Sequence, residues 1–203
     1  IEAMFGYAFA AGSVVFGWAA DRFQIRGLYA LVLVLWSIAG FATGMAADAG
    51  QLLLCRAFLG FFEAGHWPCA IRTTRLLLDE RQRSMGNGLL QSGASLGAII
   101  TPPVVTWIYS LYGWRPAFAI TGALGFVWLL FWLLLYYPPD RHPRITAAER
   151  ALVPTEPPAT GQASRVSWRE LARYPQMWGL MAARFFSDPV WWFYLFWLPK
   201  YLV

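Results

Sequence analysis

Six apolar stretches, each about as long as a membrane span, recur at residues 1–20, 28–47, 52–78, 85–109, 114–137 and 177–203 of this chain. At about 1.5 Å of rise per residue, each is long enough to cross about 30 Å of hydrocarbon as a helix. A helix is also one of the few backbone forms that satisfies its own peptide groups in lipid. The pattern therefore predicts an all-α membrane protein. Composition agrees, because 58% hydrophobic and 13% charged residues are too apolar for an ordinary soluble domain of 203 residues. None of the stretches reads as a cleaved signal peptide, since a short basic lead and a small-residue cleavage site are missing at the start. The chain opens on Ile1 and closes on Val203 inside apolar stretches, so it is read as part of a longer protein.

The formal charge of +5 is distributed over the loops rather than gathered on one face, which argues against a nucleic-acid partner. Twelve of the sixteen Lys and Arg residues fall in alternate loops: Arg22 and Arg26; Arg72, Arg75, Arg81 and Arg83; and six arginines within 138–175. The intervening loops, 48–51 and 110–113, carry none. The bias places the arginine-rich loops in the cytoplasm of a multi-pass inner (plasma) membrane protein. Cys55 and Cys69 lie about 21 Å apart along one helix, beyond disulfide reach, and read as apolar fillers. Two isolated histidines build no metal site, and the chain carries no nucleophile constellation, so neither an enzyme nor a metal is expected.

The run Gly17-Trp18-Ala19-Ala20-Asp21-Arg22-Phe23-Gln24-Ile25-Arg26 closes one helix and opens the next. It resembles the loop between the second and third helices of the major facilitator superfamily, matching at Gly17, Asp21, Arg22 and Arg26, with Gln24 where a glycine is usual. The resemblance implies a partial bundle of that superfamily, six of an expected twelve helices. Residues 1–137 would hold most of the N-terminal bundle, helices two to six. Residues 138–175 would be the central cytoplasmic linker, and 176–203 the first helix of the C-terminal bundle. It also implies that Gly17, Asp21, Arg22 and Arg26 form a cytoplasmic gating latch. The simpler alternative is that these charges only fix topology.

Within 52–78, Arg56 and Glu63 place two ionisable groups in hydrocarbon, which costs enough to make function the default explanation. Glu63 sits about 18 Å along the helix from Gln51, near the midplane, and Arg56 about 7.5 Å along it. Their seven-residue spacing puts them on one face about 10 Å apart, with Gly60 between them leaving room for a ligand or a neighbouring backbone. Desolvation disfavours the charged carboxyl, which suits a proton carrier. The structural alternatives are an ion pair with another helix for Glu63 and a packing role for Arg56. His66, three residues beyond Glu63, is positioned to hydrogen-bond with it as a modulator, or stands as a polar neighbour.

The block from Gly60 to Arg72, with Gln91-Ser92-Gly93, Gly97-Ala98-Ile99-Ile100 and the stretch from Arg184 to Leu202, resembles the anion:cation symporter family, and within it the hexuronate and related sugar-acid transporters. That resemblance assigns proton coupling to Glu63 and substrate binding or coupling to Arg56. Gln91 and Ser92, with Ser95, offer amide and hydroxyl groups suited to a polyhydroxylated substrate, while Gly93 and Gly97 also read as close helix packing. Thr101-Pro102-Pro103 lacks the paired glycines usual in antiporters of the superfamily. In the last stretch Arg184 and Asp188 stand four apart as an intrahelical pair. Pro189 follows, then Trp191, Trp192 and Tyr194 as an aromatic platform for a sugar ring, of which neighbours about 100° apart cannot both face inward. Trp197 and Tyr201 fit an interfacial belt.

The function expected is proton-driven import of a monovalent sugar acid by a monomer in the bilayer, with the proton as coupling ion and no other cofactor. The alternatives are import of an aldonate, aldarate or aromatic acid, or a membrane sensor built on the same fold.

Overall fold

The computed structural model describes residues 2–138, 146 and 168–201. The expected linker, 138–175, lies for the most part outside the described residues. All regular structure among them is helical: α1 (Glu2–Arg22), α2 (Ile25–Thr43), α3 (Ala49–Glu63), α4 (His66–Leu77), α5 (Glu80–Tyr112), α6 (Trp114–Leu135), α7 (Trp168–Leu171), α8 (Pro175–Phe196) and α9 (Leu198–Tyr201). The chain divides into two compact units, 1–161 and 162–203.

Among the described residues four helices, α1, α2, α5 and α6, are long and apolar enough to cross a membrane. This is fewer than the six spans expected. The third stretch is divided at Ala64 and Gly65 into α3 and α4, neither of which alone spans. Pro68, which has no N–H to give the Ala64 carbonyl, and Gly65, a weak helix former, act together at this point. The turn tightens there: Gly65 N–H donates to the Phe62 carbonyl (3.0 Å), and the ladder resumes with Cys69 N–H donating to Gly65 (3.3 Å). α8 has the length, at 22 residues, but carries Arg184, Ser187 and Asp188.

In the first unit α2 is the central helix, packed on α3 and most extensively on α6, while α1 packs along α3. The core joins Phe16, Ala19 and Ala20 of α1 to Ile25, Leu28, Tyr29, Val32 and Leu33 of α2, and reaches Cys69, Trp132 and Tyr136. The α1–α3 crossing is close because both helices present glycine. A Cβ on Gly60 would stand 2.5 Å from the Phe5 carbonyl oxygen, and one on Gly12 would run into the Phe61 carbonyl. Gly60 thus accommodates a neighbouring backbone, one of the two uses its position allows.

Turns are set by local chemistry. The Asp48 carboxylate accepts from Gln51 N–H (2.8 Å) and the Gln51 side chain accepts from Ala47 N–H (2.9 Å), a reciprocal cap that starts α3. Gly113, at φ 83°, supplies the left-handed turn that joins α5 to α6. α5 runs through Pro102 and Pro103, and α8 through Pro189.

Candidate functional site

The face of α3 that carries Arg56 and Glu63 contains a charge partner that the sequence did not single out. Glu2, on the first turn of α1, puts a carboxylate oxygen 3.9 Å from Arg56 Nη2. That is an ion pair but too long for a hydrogen bond. Arg56 is largely covered while Glu2 is more than half exposed, and the buried Arg56 Nε has no hydrogen-bond acceptor. The guanidinium carbon lies 5.7 Å from the centre of the Phe118 ring of α6. Arg56 is therefore held by charge and aromatic contact, with its two-pronged donor edge unfilled. Glu63, the last residue of α3, is half-buried and makes no hydrogen bond or ion pair among the described residues.

His66 does not take the partner expected for it. Its Nδ1 shares a 2.7 Å hydrogen bond with the hydroxyl of Tyr29 on α2 rather than with Glu63. The break after Glu63 explains the change, since residues 63 and 66 belong to different helices and the i,i+3 relation does not hold across it. The His66 ring also lies edge-on to Trp36 (6.1 Å) and Trp67 (5.6 Å). Tyr29 thus joins the functional candidates, and nothing in the sequence separates its hydroxyl from those of Ser37 and Thr43 in the same span.

The four gating-motif residues have separate surroundings. Asp21 stands 4.0 Å from Arg72 of α4, a residue read earlier only as a topology determinant. Arg22 lies over the Trp18 ring (4.2 Å), and Arg26 donates to the Leu133 carbonyl (2.8 Å) while covering Tyr137 (4.9 Å). Gly17 has open space where a Cβ would point. Gln24 has φ −62°, so its backbone does not need the glycine that is usual there. These contacts bring the first loop together with α4 and the C-terminal end of α6.

Gln91 and Ser92 lie on a part of α5 that the described helices leave uncovered. The Ser92 hydroxyl donates to Leu89 (2.8 Å) and that of Ser95 to Gln91 (3.2 Å), each along its own helix. No Cβ contact would arise at Gly93 or Gly97. Among the described residues no hydrogen bond or ion pair joins Gln91 or Ser92 to Arg56 or Glu63. In the second unit Arg184 Nη1 donates to Asp188 (3.0 Å), the intrahelical pair expected. Trp192 and Tyr194 are exposed, and Tyr194 meets Phe193 edge-on at 6.0 Å. The side chain of Trp191 lies outside the described residues. No cluster of three or more His, Cys, Asp or Glu able to hold a metal occurs among the described residues.

Residues 1–203 match the Major Facilitator Superfamily. The chain is 31% identical over 205 residues to the hexuronate transporter of Escherichia coli (strain K12), covering 100% of this chain and 48% of that protein. It is 30% identical to the galacturonate transporter of Dickeya chrysanthemi, covering 93% and 55% respectively. It is 34% identical to the "Probable sulfoacetate transporter SauU" of Cupriavidus necator, covering 98% and 46%. The chain thus spans about half the length of these curated relatives. In fold it resembles a bacterial homologue of the human lysosomal transporter Spinster, solved inward-facing and unoccupied, with a TM-score of 0.60 over 87% of this chain and 41% of that one, at 22% identity.

Proposed function

The chain belongs to the Major Facilitator Superfamily, a multi-pass protein of the inner (plasma) membrane, and on that footing we propose that the protein it forms part of is a secondary active transporter. It imports a monovalent sugar acid, a hexuronate such as galacturonate or glucuronate, together with protons. The observation that carries this reading is the arrangement on α3: an arginine whose Nε has no acceptor, two helical turns before a carboxyl that makes no hydrogen bond or close ion pair among the described residues and meets the charge of Arg56 only at longer range. Arg56 binds the substrate carboxylate and Glu63 carries the proton. The resemblance to hexuronate and galacturonate transporters supports the choice of substrate class. Import of a different small organic anion is the second reading, favoured by the 34% identity to the sulfoacetate relative.

Glu2 enters this reading as a competitor, because it occupies the charge position at Arg56 that a substrate carboxylate would take. The test is a thermal-stability titration of the full-length protein with galacturonate, glucuronate, galactonate, galactarate, sulfoacetate and a neutral hexose. The hexuronates are expected to stabilise most, and Glu2→Gln to tighten their apparent affinity about two- to fivefold, the range open to an exposed ion pair. Equal stabilisation by the neutral hexose would overturn the anion reading. Unchanged or weaker hexuronate affinity in Glu2→Gln would remove Glu2 as competitor.

A further inference from the structure

At the break between α3 and α4 the backbone ladder is thinned to the tightened Gly65–Phe62 bond and the Cys69–Gly65 bond, and tertiary contacts add to it. Pro68 leaves the Ala64 carbonyl without its usual donor, and Glu63 is the last residue before the break. Tertiary contacts therefore take a larger share in fixing the relation of Glu63 to α4 than they would in an unbroken helix, and two are present. Gly65 is pressed against α2 and α1, where a Cβ would come within 2.7 Å of Val32 and 2.9 Å of Phe16. One residue on, His66 Nδ1 is tied to the Tyr29 hydroxyl at 2.7 Å.

Tyr29 is itself anchored. It is 4% exposed, and its ring meets Trp132 of α6 edge-on at 4.6 Å. Trp132 donates its ring N–H to the Arg26 carbonyl (3.1 Å) and stacks on Tyr136 at 4.0 Å. Arg26 returns a hydrogen bond to the Leu133 carbonyl (2.8 Å). The contacts run without interruption from the first loop, through Trp132 and Tyr29, to the residue that opens α4.

We propose that Tyr29 is a positioning residue for Glu63, acting through His66. The Tyr29–His66 hydrogen bond sets the break and hence where the Glu63 carboxyl stands, tying it to the clasp that Arg26 and Trp132 make between α2 and α6. The inference rests on the reading of Glu63 as the proton carrier.

Three variants of the full-length protein in proteoliposomes test it, with D-galacturonate as probe. Each is assayed for pH-gradient-driven accumulation, for counterflow and for thermal stability. Tyr29→Phe removes the hydroxyl and with it both its bond to His66 and its hydrogen bond with Trp128, whereas the His66 variants leave the Trp128 bond in place. His66→Asn puts an amide atom where Nδ1 stood, able to donate or accept, whereas His66→Gln carries its amide to the Nε2 position; both lose the ring equally. Tyr29→Phe and His66→Gln, which both lose the part-buried Tyr29–His66 bond, are expected to lower gradient-driven accumulation about tenfold, with counterflow retained. His66→Asn is expected to accumulate within about twofold of wild type. Equal loss in His66→Asn and His66→Gln overturns the proposal, as does a parallel fall of accumulation, counterflow and stability in Tyr29→Phe. A different result marks failure of the underlying reading: wild type that exchanges D-galacturonate but never accumulates it under a pH gradient, which removes the proton carrier and this inference with it.

Discussion

Glu63→Gln is expected to abolish uphill accumulation driven by a pH gradient while leaving exchange of internal for external substrate in place. Glutamine preserves the size and much of the hydrogen-bonding capacity of the carboxyl but cannot take up or release a proton. Glu63 is half-buried in the bundle and makes no hydrogen bond or close ion pair among the described residues, so its charged form has only the longer-range charge of Arg56 to offset desolvation, less than a structural carboxylate would have. Removing a group whose task is to change protonation state uncouples transport without unfolding the helix. A structural Glu63 would show a different pattern, in which stability and exchange fall together with accumulation. Gradient-driven uptake and counterflow measured on the same reconstituted variant separate the two, and retained accumulation would end the coupling role of this residue.

Arg56→Lys is expected to weaken substrate binding by about ten- to a hundredfold although it keeps the charge. A charge-assisted, two-pronged contact to a carboxylate is worth roughly 1.5–3 kcal/mol. An ammonium offers a point charge in place of the planar fork, and it also gives up the flat stacking surface that the guanidinium presents toward Phe118. Titration of the variant with D-galacturonate, followed by thermal stability or initial uptake rate, checks this. Near-normal affinity would return Arg56 to a packing role and would leave the unfilled donor edge at Nε without a function.

Much of the architecture is legible in the sequence because lipid leaves a helix few alternatives, so apolar length alone locates α1, α2, α5 and α6. The seven-residue spacing likewise places Arg56 and Glu63 on one face. The pairing of Arg184 with Asp188 is a local i,i+4 relation and was readable for the same reason. The break at Ala64 and Gly65 had a signal in Gly65 and Pro68, masked by the continuous apolar run around them. What the sequence does not contain is the set of contacts made across the fold. Glu2 meets Arg56 at a separation of 54 positions in the chain, and Tyr29 meets His66 at 37. No periodicity within one helix reports a partner on another. Arg72 shows the same limit, since a loop arginine that fixes orientation looks no different in sequence from one that pairs with Asp21. Gln24 is the converse case, a departure from the usual glycine that the extended backbone accepts without strain.

The measurement that bears most directly on the proposed activity is uptake of radiolabelled D-galacturonate by the full-length wild-type protein in proteoliposomes, with the outside acidified and a protonophore added in a parallel sample. A proton-coupled sugar-acid importer accumulates the label above its external concentration while the gradient lasts and loses that accumulation when the protonophore is present. Saturable binding without accumulation, as a sensor on the same fold would give, or accumulation indifferent to the protonophore, would contradict the account.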